Sequence, residues 1–327
     1  MEIQLSYNLV SSPTGMRKAD LIAAALEQAA WADDKGFDLV ELAEHHGSES
    51  GYLPSPVLLS ASFAACTSNM RICPTIIAPF YDPVRLAEDL CMLDNISDGR
   101  LDVIIIGGWV PSEFEMYGVS PDDRGQLIEQ TLQVLRCAFD RQPFEFDGRK
   151  GRITPPPASP RGPKIFVGGG VKATARRAAQ YGDGFFPMTH ATGYASLYRD
   201  LCAEFGKEPG QVINCPVQNI YLAQDPDRAW DKINTYAMEC NNFYTKAAQT
   251  TDQSVPQQDV SSSEELRRQG LFPVMTPEEC IAYCRAQPDG TRIMVQPSLG
   301  GMPPELSWES LELWANAVLP ALKKEGA

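Results

Sequence analysis

Histidine is scarce in this chain, with three copies among 327 residues. Any imidazole chemistry is therefore confined to two places, the adjacent pair His45-His46 and the isolated His190. No block of lysine and arginine relieves a formal net charge of −14, which argues against nucleic acid or an anionic membrane as a general partner. Long apolar runs are missing as well. The longest of β type, Leu101 to Ile106, falls far short of the ~20 residues that a membrane-spanning helix needs. The opening Met-Glu-Ile-Gln-Leu-Ser-Tyr lacks the basic and apolar regions of a signal peptide, and its alternation reads as a first strand. The nine cysteines are odd in number and scattered, which excludes a disulfide framework and suits a reducing cytoplasm. Cys280 and Cys284 stand close, but no second Cys/His pair at zinc spacing accompanies them, so no metal site is expected.

The chain does have apolar material, 43% of residues against 21% charged, enough for a sizeable core. It also has a repeating order. Strand patterns at Ile3–Leu9, Phe37–Leu42, Arg71–Ile77, Leu101–Ile106, Lys164–Val167, Phe185–Pro187, Ile213–Leu222 and Arg292–Gln296 alternate with helical stretches. Asp20 is expected to cap a helix from Leu21 to Lys35, Asp82-Pro83 to open the next but one, and Ser307 to cap the closing helix. The segment holding Pro111, Phe114 and Tyr117 reads as irregular, and Pro143 to Pro163 as a loop or small hairpin. Eight strands separated by helices predict an α/β fold, a TIM (β/α)8 barrel forming a single domain over 1–327 with insertions. One long insertion, about 236–275, precedes the last strand. Within it the polar stretch Gln249 to Ser263 is too long for a connector and reads as a lid, before the capping box Thr276-Pro277-Glu278-Glu279 resumes regular structure.

In a parallel barrel the reactive side chains follow the carboxyl ends of the strands. Glu44, His45 and His46 follow the second strand, Phe80 and Tyr81 the third, Trp109 the fourth and His190 the sixth. An imidazole transfers protons near neutral pH, and a neighbouring carboxylate fixes its tautomer. Side chains alternate along an extended chain, so Glu44 and His46 share one direction while His45 takes the other. His45 is then the residue expected to do chemistry, with Glu44 and His46 supporting it. The same alternation makes the two histidines poor joint ligands for one metal. Gly168-Gly169-Gly170 lies between a strand and a helix, where backbone N–H groups can approach an anion. Thr174 stands one turn further on. Gly107 and Gly108 end the preceding strand, and Phe80, Tyr81, Trp109, Phe114 and Tyr117 supply aromatic rings.

Several of these segments together resemble the bacterial luciferase-like flavin-dependent oxidoreductases. They are Glu44-His45-His46, Asp82-Pro83-Val84-Arg85, Asn95 through Asp102 leading into Gly107-Gly108-Trp109, Glu113-Phe114 with Gly118, and Phe166 through Gly170 with Ala178 through Gly184. The resemblance implies a TIM barrel binding a flavin at the carboxyl ends of its strands, with His45 moving a proton near the reactive edge of the ring. It implies phosphate contacts from Gly169, Gly170 and Thr174, and further cofactor contacts from Pro74, Thr75, Gly107, Gly108, Trp109 and Gly168. A cis peptide between Pro74 and Thr75 is expected on the same ground. The implied activity is that of a cytoplasmic monooxygenase, a homodimer, using O₂ and reduced FMN supplied by a separate NAD(P)H:flavin reductase to oxidise a small, apolar organic substrate.

Two departures limit the likeness. Luciferases place a reactive cysteine and a phosphate-binding arginine where this chain has Ile106 and Gly107, so light emission is not implied, and the phosphate's cation must come from elsewhere, with Arg124 and Lys172 as candidates. The phrase Gly182-Asp183-Gly184-Phe185-Phe186-Pro187 is similar to the branch that uses an 8-hydroxy-5-deazaflavin coenzyme for hydride transfer. That coenzyme is the alternative, and a flavin-binding protein without turnover is a second one.

Overall fold

The computed structural model describes residues 1–12, 15–188, 193–252 and 255–323. His190 lies outside them. The chain divides into two compact units, Met1–Pro54 with everything from Cys215 onward, and Ser55–Asn214.

In the first unit the strand Glu2–Ser6 lies between Arg292–Val295 and Leu39–Leu42, all parallel, in a register that pairs Leu5 with Val295 and Ser6 with Glu41. In the second unit Arg71–Ile77, Asp102–Ile106, Lys164–Gly169, Gly184–Pro187 and Gln211–Val212 follow one another as parallel neighbours. Three strands and five make the expected eight, and helices alternate with them along the chain. The middle strands are buried on both faces, which is why Asp102–Ile106 reads Asp-Val-Ile-Ile-Ile rather than alternating.

Local chemistry sets most boundaries. The Asp82 carboxylate accepts from the amides of Val84 and Arg85, both at 3.0 Å, and starts the helix Pro83–Ile96. The capping box forms as expected, with Glu279 N–H donating to Thr276 Oγ1 at 3.2 Å and Thr276 N–H to Glu279 Oε2 at 2.9 Å. The longest helix, Pro226–Ala248, is opened by Asp225, which accepts from Arg228 N–H at 3.1 Å. Its buried residues Ala229, Ile233, Ala237, Cys240, Asn241 and Thr245 recur every three or four positions and cover one stripe of the unit's core.

Five expectations need correction. The first helix runs Lys18–Ala32, so Asp20 sits in its first turn instead of at the cap, paired with Arg17 at 2.6 Å. Residues Pro111–Tyr117 are helical, closed by Gly118 at φ 65°. Both signals, proline at the first position and glycine just past the end, were present in the sequence. The strand expected over Ile213–Leu222 is split into Gln211–Val212 and Tyr221–Leu222, the latter paired with Val274–Met275. Pro216 lacks the N–H that a continuous ladder would need. Ser307 lies inside the helix Pro304–Leu313, where its hydroxyl donates to the Pro297 carbonyl. Finally, the cis peptide among the described residues is Thr154–Pro155, and the Pro74–Thr75 bond is trans. A cis bond there would precede threonine, where it costs about 2.5–4 kcal/mol. Among the described residues no helix is long and apolar enough to cross a membrane.

Candidate active site

The strand Leu39–Leu42 ends two residues before Glu44, and alternation persists beyond it. His46 Nε2 and Glu44 Oε1 meet at 3.0 Å, with side chains 3% and 0% exposed. His45 turns the other way. Its backbone N–H donates to the Leu53 carbonyl at 3.1 Å, and its ring meets those of Tyr52 and Phe243 edge-on, at centroid distances of 4.7 and 5.0 Å. Tyr244 stands 6.1 Å away, and its hydroxyl shares a 2.8 Å hydrogen bond with that of Tyr52. Burial raises both phenol pKa values above the ordinary range, and the nearby Glu41 charge adds to the effect. Both hydroxyls therefore stay protonated and can only share hydrogens.

Behind this wall the same strand ends carry a buried polar group that the sequence reading missed. Ser6 Oγ donates to Glu41 Oε2 at 2.6 Å, as the pairing of Ser6 with Glu41 across the sheet requires. Cys240 lies between Asn8 and Gln296, 3.9 Å from each, and Gln296 N–H donates to Asn219 Oδ1 at 2.8 Å. Burial pushes the Cys240 thiol up to about 12, so it is no ready nucleophile. Glu41 was visible in principle, as a lone carboxylate inside an apolar strand. Lys18 fastens the loop that carries Tyr52. Its ammonium donates to the carbonyls of Leu9 and Ser50 and to Ser11 Oγ, and burial lowers its pKa to about 8.

The second unit presents the glycines. Gly107 and Gly108 follow the strand Asp102–Ile106, and a Cβ on Gly108 would stand 2.8 Å from Ile77 and 3.3 Å from Phe114. Phe80 stacks on Tyr117 at 4.5 Å and meets Phe114 edge-on at 5.1 Å, while Trp109 is half-buried. Thr75 is buried in the strand Arg71–Ile77 next to Pro74. At the strand Lys164–Gly169 a Cβ on Gly168 would fall 2.8 Å from Ile106, and one on Gly169, at φ 146°, 2.9 Å from Thr174 Oγ1. Gly170 and Val171 then lead into the helix Lys172–Tyr181, whose first turn no described side chain caps. Arg177 on this helix has a buried Nε without a hydrogen-bond partner, Glu129 being 3.9 Å away. It was absent from the sequence reading, which looked for cations in Arg124 and Lys172, because only the fold turns Arg177 toward Gly125.

In each unit, then, the candidate residues follow the carboxyl ends of parallel strands: imidazoles and phenols in one, glycines and a helix start in the other. In α/β barrel enzymes the reactive groups stand at these strand ends. Comparison with known proteins gives the family. Residues 2–287 match the model of luciferase-like monooxygenases, and the chain belongs to that family, whose members are flavin-dependent oxidoreductases. It is 22% identical to the alkanal monooxygenase alpha chain of Photorhabdus laumondii subsp. laumondii, over 98% of each chain. It is 24% identical to an FMNH(2)-dependent dimethylsulfone monooxygenase of Pseudomonas putida over 63% of each. Among solved structures, monooxygenase RslO1 from Streptomyces bottropensis superposes with a TM-score of 0.84 at 26% identity, covering 98% of this chain and all of that one. The oxygenating constituent of 3,6-diketocamphane monooxygenase from Pseudomonas putida, in complex with FMN, gives 0.76 at 20% identity, over 98% of each chain. The expected α/β barrel class and family both hold.

Proposed function

We propose that this monooxygenase takes reduced FMN and O₂ and places one oxygen atom into a small, apolar organic substrate. The observation that carries the reading is the splitting of the histidine pair. His46 is locked on Glu44, while His45 is set apart against aromatic rings at the same strand end.

The glycine turn fits a flavin phosphate, because the space a Cβ would need at Gly168 and Gly169 is already taken by Ile106 and Thr174. Only bare backbone allows that approach. Gly168, Gly169, Gly170 and Thr174 would hold the phosphate, with Arg177 as the cation, and Pro74, Thr75, Gly107, Gly108 and Trp109 would face the ring system. When bound, reduced FMN supplies two electrons, so that one atom of O₂ enters the substrate and the other leaves as water. His45 would move the accompanying proton. Glu44 and His46 hold the turn on which it stands, the aromatic rings keep bulk water away, and the 249–263 segment would serve as a lid.

Oxygen uptake by the purified protein with reduced FMN, coupled to product in a substrate screen, tests this. Absence of uptake together with tight binding of 8-hydroxy-5-deazaflavin would replace it by the hydride-transfer reading, and retained flavin with no turnover by a binding role. The phrase that suggested the deazaflavin, Gly182 to Pro187, has a structural occupation: Asp183 accepts from Ile165 N–H at 2.8 Å and from Arg136.

Gly169→Ala is expected to weaken FMN binding at least tenfold, about 1.4 kcal/mol, since the new methyl meets Thr174 and the φ of 146° disfavours any side chain. Fluorescence titration with FMN measures it, and an unchanged affinity would remove the glycine turn from the phosphate site.

We also propose the single catalytic domain, the flavin reductase as electron source, the cytoplasm as location and a homodimer as the working form. None of the nine cysteines forms a disulfide, which supports a reducing compartment. Leu58 on the helix Pro56–Cys66 is 75% exposed, an apolar side chain that a partner copy could cover. Sedimentation velocity of Leu58→Glu against the native chain decides it.

A further inference from the structure

The three aromatic rings against His45 come from two places far apart in sequence: Tyr52 from the loop after the second strand, Phe243 and Tyr244 from the last two turns of the helix Pro226–Ala248. Core packing accounts for Tyr244 in part and not for Phe243. That helix packs Ala229, Trp230, Ile233, Ala237 and Cys240 in a cluster with Leu266, Phe272 and Met302, against which Tyr244 also lies. Phe243 is half-exposed and lies outside that cluster, and its ring contacts are His45, Tyr52 and Tyr244. Tyr52 and Phe243 approach to 4.7 Å with their planes tilted 37°, and both meet the imidazole edge-on, the three rings packing as a triangle. The hydroxyl bond between Tyr52 and Tyr244, 2.8 Å long, ties the loop ring to the helix. Each phenol is the other's described side-chain partner, so losing one leaves a buried hydroxyl without it.

We infer that Phe243 and Tyr244 are positioning residues for His45: the helix clamps the imidazole against Tyr52 and fixes the direction in which it presents its ring nitrogens. The clamp rests on the reading of His45 as the proton-transfer group, since orientation matters only if the ring acts. It goes beyond that reading by giving a remote helix control over the chemistry. A proton moves well only across a short, aligned contact, and an imidazole free to rotate about its Cβ–Cγ bond spends most of its time misaligned. The same helix holds the lid candidate: Asn241 Nδ2 donates to the Gln258 carbonyl at 3.1 Å, one turn from Tyr244.

With three histidines in the chain, the His45 ring protons can be resolved in heteronuclear spectra of the flavin-free protein and assigned by their loss in His45→Gln. In Phe243→Leu and in Tyr244→Phe those two signals are expected to leave their ring-current-shifted positions, while the His46 signals, held by Glu44, stay. Phe243→Leu should melt close to the native protein, and Tyr244→Phe below it, since it strands the buried Tyr52 hydroxyl. With reduced FMN their turnover should fall about tenfold, with KM for the flavin unchanged. Phe243→Tyr, which keeps a ring in place, should restore both readouts. Native His45 signals in both variants would overturn the clamp. Signals that move, with turnover unaffected in the variants and in His45→Gln alike, would uphold the clamp and overturn the proton-transfer reading instead.

Discussion

His45→Gln is expected to lower turnover by about 10²- to 10⁴-fold, the usual contribution of a positioned general acid or base, with the fold and the affinity for FMN retained. Glutamine keeps roughly the size of the imidazole and can lie against Tyr52 and Phe243, but it cannot exchange a proton near neutral pH. His46→Gln sets the contrast. His46 meets Glu44 at 3.0 Å with both side chains almost fully buried, so the substitution disturbs a buried charge-assisted contact. Its main cost should be stability, about 1–3 kcal/mol, with a smaller effect on turnover. Steady-state rates with reduced FMN, set beside thermal melts of the same preparations, separate the two. If both variants lost activity and stability in parallel, the division of labour between the two histidines would be wrong.

The different surroundings of the two histidines were legible in the sequence, because a period of two puts Glu44 and His46 together, as their 3.0 Å contact bears out. The glycines were legible for a similar reason. Gly168 and Gly169 stand where a strand hands over to a helix, and the crowding that a Cβ would meet there confirms the need for them. The aromatic clamp was not legible. Tyr52 and Tyr244 are 192 residues apart, and no local pattern says that the far end of a long amphipathic helix comes back to the second strand. Glu41 stands out as a lone carboxylate in its strand, but its partner Ser6 becomes adjacent only through the sheet register. Arg177 was lost among helix-surface charges for want of the same three-dimensional information. The split seventh strand differs, because the residue that interrupts it, Pro216, is readable in the sequence itself.

Arg100→Ala is expected to destabilise the second unit by about 3–4 kcal/mol, seen as a fall in melting temperature of roughly 10 °C. The Gly-Arg-Leu-Asp stretch stood out only as part of a resemblance. The structure supplies the physical reason for its arginine. Arg100 Nε donates to the Ser97 carbonyl at 2.7 Å, one terminal nitrogen to Met70 O at 2.7 Å and Thr67 Oγ1 at 3.0 Å, and the other to Thr67 O at 2.9 Å and Ala64 O at 3.0 Å. All five guanidinium hydrogens are used. The Ala64 and Thr67 carbonyls belong to the end of the helix Pro56–Cys66, where the last carbonyls have no partner within the helix. The guanidinium thus closes one helix, anchors the turn that ends Pro83–Ile96 and fixes the entry to the strand Asp102–Ile106, at whose far end stand Gly107 and Gly108. Arg100→Lys should recover less than half of the loss, because three hydrogens radiating from a single nitrogen cannot reach acceptors spread across a planar fork. Guanidinium denaturation of the three chains, with FMN titrated into each, gives the test. A loss below about 1 kcal/mol in Arg100→Ala would show that water replaces the guanidinium at those carbonyls. FMN affinity that falls with stability would show the strand entry to be coupled to the glycine rim.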